Sequence, residues 1–216
     1  MALAARGRYG PRAVSDARPW PSPLAGSLTG AIVRLEPLAE HHVDALFTAS
    51  RDPAIWRWMR AYPASRASFD AWIDDALRAR EEGSEFPFAT VRVRDGVPVG
   101  STRFMALRPE HRGLEIGWTW LGPAAWRTGA NVEAKLLMLT HAFDALGCMR
   151  VELKTHAENQ RSRDAMTAMG AWFEGIHRKK QLVPGIGVRD TAWFSIVDEE
   201  WPAVRRRLRA RLAAHG

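Results

Sequence analysis

"WLGPAAWRTGANVEAK", residues 120–135, joins the end of one predicted element to the start of another. Trp120-Leu121 closes an alternating run, and Gly122-Pro123 breaks it. Thr128-Gly129-Ala130-Asn131 then lead into a stretch where Val132, Leu136, Leu139, Phe143 and Leu146 step by four, three, four and three. Such steps keep one helical face apolar, so the stretch predicts strand, loop and long helix. A helix start offers free amides and the positive end of the helix dipole, which suit a phosphate, and Gly129 lets the backbone come close. One glycine serves a plain turn equally well. There is no GxGxxG and no GxxxxGK[ST], which removes dinucleotide and P-loop nucleotide binding.

Downstream, "MRVELKT" (149–155) predicts a strand and "NQRSRDAMTAMG" (159–170) a short helix. Asn159 is a strong N-cap, Ala165, Met166 and Met169 give a narrow apolar stripe, and Gly170 is the stop. "AWFEGIHRKKQLV" and "VRDTAWFSIV" predict two more strands around Pro184-Gly185, and residues 198–216 a closing helix with Trp201, Val204, Leu208 and Leu212 as its stripe. Upstream, "FPFATVRVR" and "VPVGSTRFMAL" flank Asp95-Gly96, a favoured hairpin turn, and "GLEIGWTWLG" (113–122) is the strand that enters the junction. Before them lie a strand in "AIVRLEPL", a helix from Ala39, and a helix whose face is Phe69, Trp72, Ile73, Ala76 and Leu77. The intervening segment carries Trp56, Trp58 and Tyr62, which line a pocket or belong to the core. Residues 1–28 show neither period and hold several prolines, so they read as a flexible extension ahead of one domain over 29–216.

The 216 residues, 46% hydrophobic and 25% charged, match one soluble globular domain. A single Cys makes no intrachain disulfide. The start lacks the apolar run of a signal peptide and no stretch approaches a membrane span, so a cytoplasmic location and no membrane partner are expected. The net charge of +7 raises nucleic-acid binding, but it sits at the two ends. Residues 29–197 hold 22 basic and 20 acidic side chains, which gives no phosphate-tracking face.

Along "GLEIGWTWL" strict alternation puts Leu114, Ile116, Trp118 and Trp120 on one face, and Glu115, Gly117 and Thr119 on the other. Glu115 then stands beside a space made by glycine, as a base or as the partner in a salt bridge. Cys148 with His141 or His156 is a weak thiol pair, since free Cys is usually buried filler. His41-His42 and His111 lack the ligand spacing of a metal site, so no metal is expected.

Taken together, "LEIGWTWL", "WRTGANVEAKLLMLTHAFDALGCMRVELKT", "NQRSRDAMTAMGAWFEG" and "RDTAWFSIVDEEWPAV" resemble the GNAT superfamily of acetyl-CoA-dependent acetyltransferases, within it the ribosomal-protein N-terminal acetyltransferases. The segments occur in family order over roughly residues 30 to 210. The resemblance implies an α+β, GNAT-like three-layer fold, a mixed and mostly antiparallel central sheet with helices on both faces. It also implies that two strands splay apart to take the pantetheine arm of CoA. The backbone near Leu121 would bond the arm, Arg127, Thr128, Gly129, Ala130 and Asn131 would hold the pyrophosphate, and Asn159 would bond the arm from the other side. Ser162 would face the thioester sulfur, and Glu115 would act as base through water. In the usual pyrophosphate motif, Gln or Arg, two variable residues, Gly, one variable residue, then Gly or Ala, this chain has Trp126 first and Asn131 last, with Gly129 alone of the usual identity. The partners implied are acetyl-CoA and an amine acceptor, in this branch a protein N-terminus, and a homodimer is compatible with it. The rivals are a small-molecule amine acceptor, a non-catalytic CoA-binding module and a nucleic-acid binder resting on the basic ends.

Overall fold

A computed structural model describes residues 19–21, 24–183, 185 and 187–214. Its spine is an eight-stranded sheet in the order β1-β2-β3-β4-β5-β6-β8-β7. The strands are β1 (Leu28–Thr29), β2 (Val33–Pro37), β3 (Phe86–Arg92), β4 (Val97–Arg108), β5 (Gly113–Leu121), β6 (Arg150–His156), β7 (Trp172–Val183) and β8 (Gly187–Val197). Every neighbouring pair is antiparallel except β5–β6, which is parallel and is joined by the long helical crossover that a parallel pair requires. The α+β, mostly antiparallel expectation is what the chain builds.

Helices cover both faces. On one, α1 (Val43–Ala49) and α2 (Arg66–Glu81) pack Leu46, Phe69, Trp72 and Ile73 against Leu38, Ala89, Val91 and Trp120, with Trp56 sealed into the same cluster. On the other, α3 (Ala130–Thr140), α4 (Gln160–Met169) and α5 (Trp201–Ala213) set Met138, Leu139, Met166, Met169, Trp201, Val204 and Leu208 against Val33, Leu35, Phe88, Phe104, Leu114, Val151, Leu153, Phe194 and Ile196. Burying such side chains contributes roughly 2 kcal/mol each, and this sets which face of each strand turns inward. The apolar steps after Leu139 continue past α3 through a single π turn over His141–Ala145, which keeps Phe143 buried.

Two expectations change. Alternation fails in β5, because Ser101 pairs with Trp120 while Arg103 pairs with Gly117, so Trp118 and Thr119 together face Thr102 alone. This is a β-bulge, with Trp118 in the left-handed region at φ 48°, and one extra residue flips everything beyond it. Leu114 and Ile116 face α3, whereas Trp118 and Trp120 pack with α1 and α2. Thr119 turns toward α3, where its Oγ1 accepts a bond from Lys135 Nζ at 2.7 Å.

The expected flexible extension over residues 1–28 does not describe all of that stretch. Its residues 1–18 lie outside the described residues, as does Pro184 of the last predicted turn. Among the described ones, Leu24 and Ala25 are buried in the core, Trp20 Nε1 donates to Leu146 O at 3.0 Å, and Leu28 opens β1. Apolar side chains with a core to join do not stay solvated, whatever their periodicity.

Candidate active site

Parallel pairing of β5 with β6 is brief. Gly113 faces Arg150, Leu114 faces Val151 and Glu115 faces Glu152, and the pairing ends there. Beyond this apex β5 follows β4 to Leu121 while β6 follows β8 to His156. The bulge at Trp118–Thr119 bends β5 away, and the facing edges of the two arms keep backbone groups free for an extended ligand.

The loop from Gly122 to Gly129 closes the open end on the β5 side. Trp126 Nε1 donates to Leu121 O at 2.7 Å, and Thr128 Oγ1 donates to Ala125 O at 2.8 Å. Arg127 and Gly129 have φ of 62° and 81°. The amides of 127–129, 131 and 132 have no protein acceptor among the described residues, and Ala130 N reaches Thr128 Oγ1 only at 3.4 Å. A row of donors at the start of an eleven-residue helix is the arrangement that receives a phosphate. Trp126, the departure from the usual motif, serves as the tie that pins the loop to the strand. Arg161 lies with its guanidinium 5.3 Å from the Trp126 ring, so α4 and the loop meet across the mouth, a link the spacing alone did not reveal.

Asn159 and Ser162 stand at the start of α4, directly after β6. The cap read from sequence is built: Asn159 Oδ1 accepts from Ser162 N at 3.2 Å. Asn159 Nδ2 and Ser162 Oγ have no partner among the described residues. Residues 121 and 127–131 thus flank the splay from one arm, and 159 and 162 from the other.

The apex carries charge on the face opposite α3. Glu115 is buried, and its Oε2 accepts from Lys154 Nζ at 2.6 Å, so the salt-bridge alternative for this residue is present in the structure. Lys154 also lies 3.5 Å from Glu152 Oε2 and 3.5 Å from the centroid of Trp193. Burial pushes the Glu152 carboxyl up, but the Arg150 hydrogen bond and the charges of Arg108, Lys154 and Arg150 outweigh it and hold the group below its ordinary range. A built Cβ on Gly117 would come within 3.3 Å of Glu115 Oε1, so glycine does keep space beside the acid.

Other candidates resolve by contact. Burial pushes the Cys148 thiol up to about 12, which removes it as a thiolate nucleophile, and the His141 ring is taken by Leu24 O at 2.9 Å. Among the described residues Glu36, His41 and His42 converge within 4.8 Å. His42 Nδ1 accepts from Ala39 N at 3.1 Å, so Nε2 carries the proton and donates to Glu36 Oε2 at 2.9 Å. Arg34 shares that carboxylate, which makes the group a hydrogen-bonded cap. Of the aromatic segment, Trp56 is core, Trp58 packs against His156 with centroids 4.9 Å apart and the rings tilted by 41°, and Tyr62 is exposed. A concavity of about 470 Å³ lined by Thr48, Ala49, Val97, Pro98 and Gly122 lies on the β4 side of β5, away from the splay.

The profile of the acetyltransferase (GNAT) domain matches residues 33–171, from β2 through α4 and so across both arms. The chain belongs to the GNAT acetyltransferase family. A GCN5-related N-acetyltransferase from Brucella melitensis is similar over 90% of this chain and 88% of that one, with 38% identity and a TM-score of 0.82. The uncharacterized N-acetyltransferase YoaA of Bacillus subtilis is 32% identical over 99 residues, 46% of this chain and 55% of that protein, so the chain spans about half the length of this curated relative. Mycobacterium smegmatis RimJ, whose structure holds CoA-disulfide, shares the fold at 22% identity and a TM-score of 0.72, covering 86% and 91% of the two chains. Acetyl-CoA is the family's donor, and the free amides at the start of α3 and the unpaired arms are chemistry that fits it. No helix among the described residues is long and apolar enough to cross a membrane.

Proposed function

We propose that this protein acetylates a primary amine from acetyl-CoA, and that the amine is the N-terminal α-amine of a peptide or protein. The observation that carries the proposal is the end of β5–β6 pairing at Glu115–Glu152, with unsatisfied amides at the start of α3 on one arm and free Asn159 and Ser162 groups on the other. Residues 127–131 hold the pyrophosphate, the free edge near Leu121 and Asn159 Nδ2 hold the arm, and Ser162 Oγ donates to the departing thiolate. The acceptor approaches over the opposite face, past Trp58 and Trp118. Glu115, tied through Oε2 to Lys154 and open at Oε1, takes the ammonium proton through water.

The fold likeness to RimJ and the half-buried Trp58 at the entrance favour a peptide acceptor. So does proton chemistry: an α-amine has a reference pKa of about 8 against about 10.4 for lysine, which asks less of a carboxylate base. The test offers matched peptides, one with a free N-terminus and no lysine, the other blocked and carrying an internal lysine, and follows thiol release. Faster turnover of the free α-amine is expected. A strong preference for the blocked lysine peptide, or for a small amine unrelated to peptides, overturns the acceptor assignment. Failure with every amine overturns acetyl transfer itself.

A further inference from the structure

Arg189 is 9% exposed, and its guanidinium has no carboxylate within ion-pair distance among the described residues. Nη1 donates to Trp58 O at 2.8 Å, and Nε is buried without a partner. On the next inward position of the same strand, Thr191 Oγ1 is buried and unpartnered too. Trp58 packs against His156, the register partner of Thr191 and the last residue of the β6 arm. Across the splay, Arg60 lies 4.5 Å from the centroid of Trp118 on the β5 arm and makes no ion pair among the described residues. Arg103, 5.1 Å from the same ring, has Glu85 as its partner at 2.6 Å.

Segment 56–62 therefore bridges the two arms on the face away from α3 and brings Arg60, Arg103 and Arg189 together; Glu85 pairs with Arg103, and the more distant Asp75 also acts on Arg103. Burial lowers the Arg189 guanidinium, and the positive charge of Arg60 lowers it further, with no acid acting in opposition. Glu158 and Asp190 are the acids that act on His156, and neither pairs with these arginines. A buried guanidinium without a counter-charge is costly, and the cost is offset when a ligand supplies the anion.

We infer that Arg60 and Arg189 form an anion subsite at the acceptor entrance, which selects amine acceptors that carry a carboxylate close to the amine. This rests on the acetyl-transfer reading for its biological sense, but the carboxylate contact can be measured apart from turnover. In a peptide the anion is an acidic side chain next to the free N-terminus. In a free amino acid it is the α-carboxylate. Both present the same group to a guanidinium pair.

The experiment compares four acceptors: a peptide with Asp or Glu at its second position, the same peptide with Asn or Gln there, the same peptide with Lys there, and free glutamate. Binding to CoA-saturated protein is measured by titration calorimetry, and transfer by thiol release. The acidic peptide should bind about tenfold or more tightly than its amide twin, and that ratio should collapse toward one in Arg60→Gln. Arg60→Glu should favour a peptide with Lys at the same position. Arg189→Lys tests the second arginine while keeping a charge in the buried position, and it should narrow the ratio. Equal binding of acidic and amide peptides, or a ratio untouched by Arg60→Gln and Arg60→Glu, overturns the subsite. Carboxylate-dependent binding without transfer supports it and removes the acetyl-transfer reading alone. Transfer with no carboxylate preference removes the subsite alone. Whichever of the acidic peptide and free glutamate binds more tightly identifies the source of the anion.

Discussion

Lys135 reaches from α3 to Thr119 of the bulged strand, buried and with no carboxylate partner among the described residues, and burial lowers its ammonium from 10.5 to about 7. Between those values the unfolded chain holds a proton that the folded chain lacks, so stability rises with pH through that window. Below about pH 7 the folded protein carries the buried charge and the full penalty applies. Lys135→Met should therefore raise the melting temperature most below pH 7 and progressively less toward pH 10.5, as thermal unfolding across that range will show. A gain of equal size at every pH would contradict the burial argument. The burial was not legible in the sequence, since it depends on α3 lying over a strand whose register has shifted. Glu115 was legible as a candidate, with its two roles open. Its partner Lys154 lies 39 residues away, beyond what local spacing can pair.

Elements were legible where periodicity sets them and hidden where a single residue redirects them. The helix over 66–81 buries the face read for it, and the helix over 160–169 has the cap that Asn159 announces. The bulge in β5 was not, because "GWTW" alternates as a regular strand does and only the pairing with β4 shows the extra residue. The turn from β1 to β2 has a similar distant cause. Glu133 of α3 accepts from the amides of Ala31, Ile32 and Val33 at 2.9, 2.7 and 2.7 Å, and a Cβ on Gly30 would lie 2.3 Å from its carboxyl carbon. Glu133→Ala leaves those three donors without a partner. The expected loss is on the order of 3 kcal/mol in denaturant unfolding. A loss below about 1 kcal/mol would mean that water replaces the carboxylate at little cost.

At the scale of the whole molecule, one face of the sheet is divided. Its β2–β5 side is sealed by α1 and α2 around tryptophans, while Glu115 near the start of β5 and Lys154, His156, Arg189, Thr191 and Trp193 on β6 and β8 have no helix of the described residues packed on them. On the opposite face α3, α4 and α5 cover the strands from β2 to β8, while the edge strand β7 stays largely exposed. In the proposed reading, donor and acceptor reach the splayed arms from different sides, as an amine that meets a thioester directly requires. Acetyl transfer at this site requires that the start of α3, at the open end of the splay, receive the pyrophosphate. Gly129→Asp places a carboxylate where the phosphates approach and a side chain at φ 81°, so the dissociation constant of acetyl-CoA by titration calorimetry tests it most directly. The native protein should bind, and the variant should bind at least about tenfold more weakly. Equal affinity of the two proteins, or no binding by the native one at millimolar acetyl-CoA, would contradict it.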